Sequence, residues 1–386
     1  MSESESALFL RKVDLASRRL GAGVVAASDE LFAERENLIV PAAPVHQPHT
    51  FGHKGQVYDG WETRRRRDPA HHGRTADPHR GDAADWAIVR LGVAGVVAGV
   101  VVDTAFFTGN FPSEVSLEGT AVEGYRSPDE LLAGDWLPLV KRSAVVGDTR
   151  NLFQVECDRR VTHVKLSIYP DGGVARLRVH GDVVADPRFL SRGSVDLAAL
   201  ANGASVTRCS NLFYSSPVNL ISPGEANVMS DGWETSRRRD DGNDWVEVAL
   251  AGPGTVRLAE LDTRHFVGNA PGGARLTGVD ARRRDPDNPD AWVELLPRER
   301  LQPDTPHRFL LTGEAEVTHV RMDIYPDGGM ARLRLWGDLS DEGRASLTRR
   351  WADSLPQHHR DQITSESSVS ELAASPSAPY SEADMS

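Results

Sequence analysis

Cysteine is nearly absent: the 386 residues hold only Cys157 and Cys209, too few for a disulfide framework or a zinc ribbon. Long apolar runs are missing as well. The longest, Val93 to Val102, falls far short of the roughly 18 residues that a bilayer-spanning helix requires, so it reads as a buried strand. Positive charge is in deficit. A formal net charge of -12 repels polyanions, which argues against nucleic acid as a partner despite local arginine clusters. The start, Met1-Ser2-Glu3-Ser4-Glu5, lacks the basic and apolar stretches of a secretory signal, and together with the scarce cysteine this leads to the expectation of a cytoplasmic protein without membrane contact. What remains is ordinary for a soluble globular chain: 39% hydrophobic and 26% charged residues, long enough for two cores of about 150 residues each.

Two cores are what the sequence writes. Asp59-Gly60-Trp61-Glu62-Thr63-Arg64-Arg65-Arg66-Arg67 returns as Asp231-Gly232-Trp233-Glu234-Thr235-Ser236-Arg237-Arg238-Arg239, and the later blocks return in the same order. Asp85-Trp86 answers to Asp244-Trp245, Asp103-Thr104 to Asp262-Thr263, Gly109-Asn110 to Gly268-Asn269, and Tyr169-Pro170-Asp171-Gly172-Gly173 to Tyr325-Pro326-Asp327-Gly328-Gly329. The offset between equivalent residues drifts from 172 to 156, and the largest insertion is a His- and Arg-rich segment at 68–84, expected as a surface loop. The expected division is an N-terminal extension over 1–30, a first repeat over 31–181, a linker over 182–207 with a short helix near Val195 to Ala201, and a second repeat over 208–340. Beyond Trp351 the chain turns rich in Ser, Glu, Asp, Ala and Pro, and residues 352–386 are expected to be disordered.

Alternation of apolar and polar residues marks strands on both sides of each Tyr-Pro-Asp-Gly-Gly turn, and Pro-Asp-Gly is a hairpin signal. Pairing apolar face with apolar face sets Ser167 opposite Arg176, Lys165 opposite Arg178 and His163 opposite His180, and makes one face cationic. The second repeat sets His319, Arg321 and Asp323 against Trp336, Arg334 and Arg332. Short strands, few amphipathic helices and frequent turn residues predict an all-β antiparallel sandwich in each repeat, with the jelly roll as the natural candidate.

At these motifs the chain resembles the allantoicase family, whose members hydrolyse allantoate to ureidoglycolate and urea. The matching segments are Asp59 to Arg67, Asp103 to Asn110, Tyr169 to Arg178, Asp231 to Arg239, Asp262 to Asn269 and Tyr325 to Arg334, together covering about residues 30–340. The resemblance implies two tandem jelly-roll domains of the galactose-binding-like kind, a cytosolic setting and C–N bond hydrolysis. The His-rich insertion departs from the family's shorter segment, so His71, His72 and His79 receive no role.

Allantoate carries one carboxylate and two ureido groups. Arginine suits the carboxylate because its planar fork donates two parallel hydrogen bonds, which makes Arg176, Arg178, Arg332 and Arg334 the expected carboxylate binders, with the arginine runs 64–67 and 237–239 as competitors. Glu62, Glu234, Asn110 and Asn269 suit the ureido groups. Expelling urea needs a proton donor and a base, and histidine titrates near neutrality. His163 and His319 recur in both repeats, whereas His265 stands in the second alone, beside Asp262, where the first repeat has Phe106 beside Asp103. These histidines and aspartates are the expected catalytic residues. Asp171 and Asp327 are assigned to turn-making. No obligatory metal or cofactor is expected, with a divalent ion as the open alternative, and the arginine runs also suit the subunit contacts of a homo-oligomer. The alternative function is a tandem module that binds an acidic sugar or metabolite without chemistry.

Overall fold

The computed structural model describes residues 8–66 and 84–360, so the His-rich insertion lies, but for Ala84, outside the described residues. The chain forms two compact units, the first ending at Val184 and taking up the chain again from Ser354, the second spanning Ala185–Asp353. Each is an all-β jelly-roll sandwich, the class expected.

The strands are not all short. In the first unit Asp85–Asp103 runs for 19 residues, and Asp244–Asp262 does the same in the second, well beyond the usual range of about 3–10. Each long strand is the hub of its unit's eight-stranded sheet. Its first half pairs with Gly23–Ala27 and Arg160–Tyr169, and its second half with Arg150–Gln154 and Arg176–Val183. Its ladders shift register near its glycines, as in strands that turn sandwich corners. A Cβ on Gly95 would lie 2.3 Å from the Asp182 carbonyl oxygen, so glycine alone permits that backbone approach. The second unit turns at Gly252-Pro253-Gly254, where the register shifts between Ala249 and Gly254, the kind of irregularity at which a strand tolerates proline. The apolar run from Val93 is the turning half of this strand, with Val97, Val100, Val101 and Val102 buried.

The long strand overturns the expected hairpin. Arg160–Tyr169 and Arg176–Val183 do not pair with each other; both flank Asp85–Asp103, one on each half. Ser167 pairs with Trp86 and Ser116, Lys165 with Ile88 and Glu118, and His163 with Arg90 and Thr120. Arg176 pairs with Asp103, Arg178 with Val101 and His180 with Gly99. In the second unit His319 pairs with Ala249 and Val279, Arg332 with Asp262, and Arg334 with Glu260. The physical reason is a third ladder: Gly173 pairs with Glu62 and Val174 with Trp61, so the turn passes the chain across the sandwich instead of folding it back. The expected cationic face therefore divides between strands on the two halves of the long strand.

The repeats also begin earlier than expected. Val13–Asp14 and Gly23–Ala27 already belong to the first sheet, and Val195–Asp196 and Ser205–Cys209 to the second. The helix expected near Val195 is instead that strand followed by a 3-10 turn at Leu200–Asn202. At the C-terminal end the helix Asp341–Ser354 and the residues after it are ordered because Trp351, Leu355 and His359 are buried. His359 Nε2 meets Glu123 Oε1 at 2.7 Å, which corrects the expectation of disorder for 352–360; residues 361–386 lie outside the described residues. Cys157 and Cys209 are both free thiols. Among the described residues no helix is long and apolar enough to cross a membrane.

His163 illustrates what the sandwich does to a recurring polar residue. It is 4% exposed, its Nδ1 lies 2.9 Å from the Thr162 hydroxyl, and burial, aided by the Arg90 charge, pushes its pKa down to about 4. Between the ordinary value of 6.5 and 4 the unfolded chain takes up a proton that the folded chain refuses. Stability therefore falls as pH drops through that window, by about 3 kcal/mol in all. Urea denaturation of H163Q at pH 7 and pH 4.5 should show a smaller acid-induced loss than the wild type; equal losses would refute the burial argument.

Candidate functional site

Each unit gathers its polar side chains where three loops meet. The scaffold comes first. Trp61 and Trp233 are fully buried, and their indole N–H groups donate to the carbonyls of Asp29 and Asn211 at 2.8 and 3.0 Å. Thr63 locks onto the Pro-Asp-Gly turn, accepting from the Gly172 amide at 3.2 Å while its own amide donates to the Gly172 carbonyl at 3.1 Å. Thr235 does the same with Gly328, at 3.0 and 3.1 Å. Beneath the turn lie Phe107 and Phe266: a Cβ on Gly173 would sit 2.0 Å from the first ring, and one on Gly329 1.9 Å from the second. The Gly-Trp-Glu-Thr and Asp-Gly-Gly motifs are thus two halves of one packed corner.

On this corner Asn110 Nδ2 donates to Glu62 Oε1 at 2.8 Å, and Asn269 Nδ2 to Glu234 Oε1 at 2.7 Å. The asparagine main chain fastens the same corner, since its carbonyl accepts from Gly173 and Gly329 at 2.7 and 2.8 Å. Asp171 Oδ2 accepts from the Arg66 amide at 2.7 Å, and Asp327 Oδ2 from the Arg238 amide at 2.8 Å. Alternation along the extended segment then sorts the arginines. Arg64 pairs with Asp29 at 2.6 Å and Arg66 with Asp85 at 2.7 Å. Arg65 lies exposed between them, with no hydrogen bond or ion pair among the described residues. In the second unit Arg238 pairs with Asp244 at 2.9 Å, and Arg237 is the exposed counterpart of Arg65, likewise with no hydrogen bond or ion pair among the described residues. The second unit's corner opens into a cavity of about 430 Å³ lined by Tyr214, Glu234, Arg237, Asn269 and Asp327, among others, the size range of small-ligand sites.

In the first unit's corner, electrostatics favour the protonated form of two carboxyl groups. Burial pushes the Glu62 carboxyl up, against the opposing Asn110 hydrogen bond and the Arg65 charge. Burial also raises Asp171, with the Asp85 charge adding to it. Both groups therefore hold their protons at higher pH than free carboxylates do.

The structure brings together Glu62 with Asn110 and Glu234 with Asn269. Other candidates it places elsewhere. Arg176 is 1% exposed and spends its guanidinium on the chain: Nε donates to Ala42, Nη1 to the carbonyls of Asp59 and Ala175, and Nη2 to the Asp59 carboxylate at 2.9 Å. Arg332 donates likewise to the carbonyls of Gly224, Asp231 and Ala331. Arg178 and Arg334 hold the neighbouring carbonyls of Val40 and Ser222, both at 2.6 Å. These four arginines pin loops to the sandwich. His163 and His319 stand seven residues before the turn prolines along continuous strands, about 20 Å from the corner at 3.3 Å per residue. The ring of His319 also meets a threonine hydroxyl, that of Thr318, at 2.9 Å, and burial lowers its pKa. Asp103 and Asp262 cap their own strand ends, accepting from the amides of Ala105 and Arg264 at 2.9 and 2.8 Å. His265 Nε2 meets the Ala226 carbonyl at 2.8 Å, and its φ of 71° matches the 67° of Phe106, so the site it shares with Phe106 is a left-handed turn position. Sequence reasoning passed over Asp171, Asp327 and Tyr214 and ranked Arg65 and Arg237 second. The available signal was recurrence of the arginine two residues after the Gly-Trp-Glu-Thr motif in both repeats, a signal that Arg66 with Arg238 and Arg67 with Arg239 share.

Among the described residues no group of three or more His, Cys, Asp or Glu side chains is arranged to hold a metal ion. Fold and site together define a tandem jelly-roll protein with a small-molecule site of carboxylates, amide and guanidinium at the loop end of the repeat. A family model described as the allantoicase repeat matches residues 13–184 and 195–340, and the chain belongs to the allantoicase family. It is 56% identical to a probable allantoicase of Nocardia farcinica over 86% of this chain and 95% of that one, and 41% identical to one of Pseudomonas aeruginosa over 86% and 98%. The crystal structure of Saccharomyces cerevisiae allantoicase superposes with a TM-score of 0.70 at 34% identity, covering 87% of this chain and 98% of that chain.

Proposed function

We propose that the protein hydrolyses allantoate to ureidoglycolate and urea, at the corner that Glu234, Asn269, Arg237 and Asp327 build in the second unit. The observation that carries this reading is that Arg237, unpartnered among the described residues, faces the same cavity as the Glu234–Asn269 pair and Asp327, in a chain of the allantoicase family. Arg237 takes the substrate carboxylate in two charge-assisted hydrogen bonds. The Asn269 amide and the carboxylates receive the ureido N–H groups. The bond that breaks joins the central carbon to one ureido nitrogen. That nitrogen takes a proton as urea departs, and water gives its oxygen to the carbon while losing a proton. Glu234 delivers the first proton and Asp327 accepts the second, a division of labour that two carboxyl groups in one cavity allow. The two free thiols fit a reducing compartment, so the cytoplasm is the proposed place of work.

Incubation of the purified protein with allantoate should release urea and ureidoglycolate in equal amounts. Saturable binding of allantoate with no urea formed would instead favour the binding-module reading.

A further inference from the structure

The two corners share a frame and differ at the rim, and the shared part exceeds what the scaffold needs. Gly, Trp, Thr and Phe recur because they pack the corner, but Arg65 and Arg237 hold nothing among the described residues. The Glu62–Asn110 bond repeats Glu234–Asn269 to within 0.1 Å, and Asp171 is held by the Arg66 amide as Asp327 is by the Arg238 amide. Around this frame the repeats have diverged. Phe32 and Tyr214 occupy equivalent places, their amides donating to the carbonyls of Glu62 and Glu234 at 3.2 and 3.4 Å. The Arg64–Asp29 ion pair stands where the second unit has a neutral Ser236–Asn211 hydrogen bond of 2.7 Å. The adjoining left-handed turn carries Phe106 in one repeat and His265 in the other.

We propose that each chain carries two working sites: the first unit's Glu62, Asn110, Arg65 and Asp171 form a second site for the same ureido-carboxylate class of substrate. This rests on the assignment made above for the second unit. Chemistry follows the shared frame, with the same bond broken and the same two protons moved, Glu62 supplying the acid and Asp171 the base. Affinity follows the rim. Tyr214 offers a hydroxyl that Phe32 lacks, so the first site has the higher KM.

Steady-state kinetics on E62Q, E234Q and the double variant in the full-length chain test this, with thermal unfolding as the check on folding and R65A and R237A as second variants should a glutamine variant misfold. Each single variant keeps measurable turnover, E234Q with a raised KM because only the first site remains. The double variant falls at least about 100-fold below either one, the usual loss with an acid–base group. If one single variant alone drops to the level of the double, or if both do, the chain has a single site and the proposal is overturned. Wild-type protein that releases no urea would count against the proposed reaction itself, a different outcome from a one-site pattern.

Discussion

Arg176→Ala is expected to destabilise the first unit by about 3–5 kcal/mol, the usual consequence of removing one partner from a buried ion pair. The substitution takes the ion-pair partner from the Asp59 carboxylate, which Arg176 meets at 2.8 Å, leaving it the Val45 amide, and takes the Arg176 donor from the carbonyls of Asp59 and Ala42, the second of which keeps a longer 3.3 Å contact from Arg178. Arg332→Ala should act in the same direction on the second unit, where Arg332 holds the carbonyls of Gly224 and Asp231. Equilibrium denaturation reads the loss directly. Activity per folded molecule should change little at temperatures where the variants stay folded. A large rise in KM with unaltered stability would return these arginines to the substrate.

The opposite pattern is expected for the exposed arginines. Removing both Arg65 and Arg237 deletes a bidentate, charge-assisted contact with the substrate carboxylate at each site. A hydrogen bond to a charged group contributes about 1.5–3 kcal/mol, so kcat/KM should fall by about 10- to 150-fold. Thermal stability should stay near the wild-type value, since neither guanidinium holds another part of the described chain. Lysine at both positions should restore only part of the loss, because an ammonium lacks the planar fork. Full activity in the double alanine variant would remove the two arginines from the site.

These two predictions invert the ranking that the sequence alone suggests, and the reason is distance along the chain. Arg176 is pinned by Asp59, which lies 117 positions away, and by Ala42, further still. Nothing in the local alternation around Arg176 shows that these loops fold over it. The same holds for the Tyr-Pro-Asp-Gly-Gly turn, whose composition signals a hairpin but whose glycine pairs with Glu62 across the sandwich. The 19-residue strand was legible only in part, because its two halves pair with different strands and only the apolar half announces itself. What local pattern could carry, it did carry: the duplication, the β class, the buried valine run and the recurrence of Glu with Asn. Recurrence pointed away from the corner at Arg176 with Arg332 and Asp103 with Asp262, and also at His163 and His319. Both histidines are kept by the sandwich interior, where burial lowers their pKa, rather than by the corner.

The place where a substrate-like molecule binds tests the corner most directly. N-carbamoylglycine carries one carboxylate and one ureido group but no second ureido group to expel. A crystal structure of its complex should place the carboxylate against Arg237 and the ureido group among Glu234, Asn269 and Asp327. Occupancy beside His319 or Arg334 instead, with the corner empty, would contradict it.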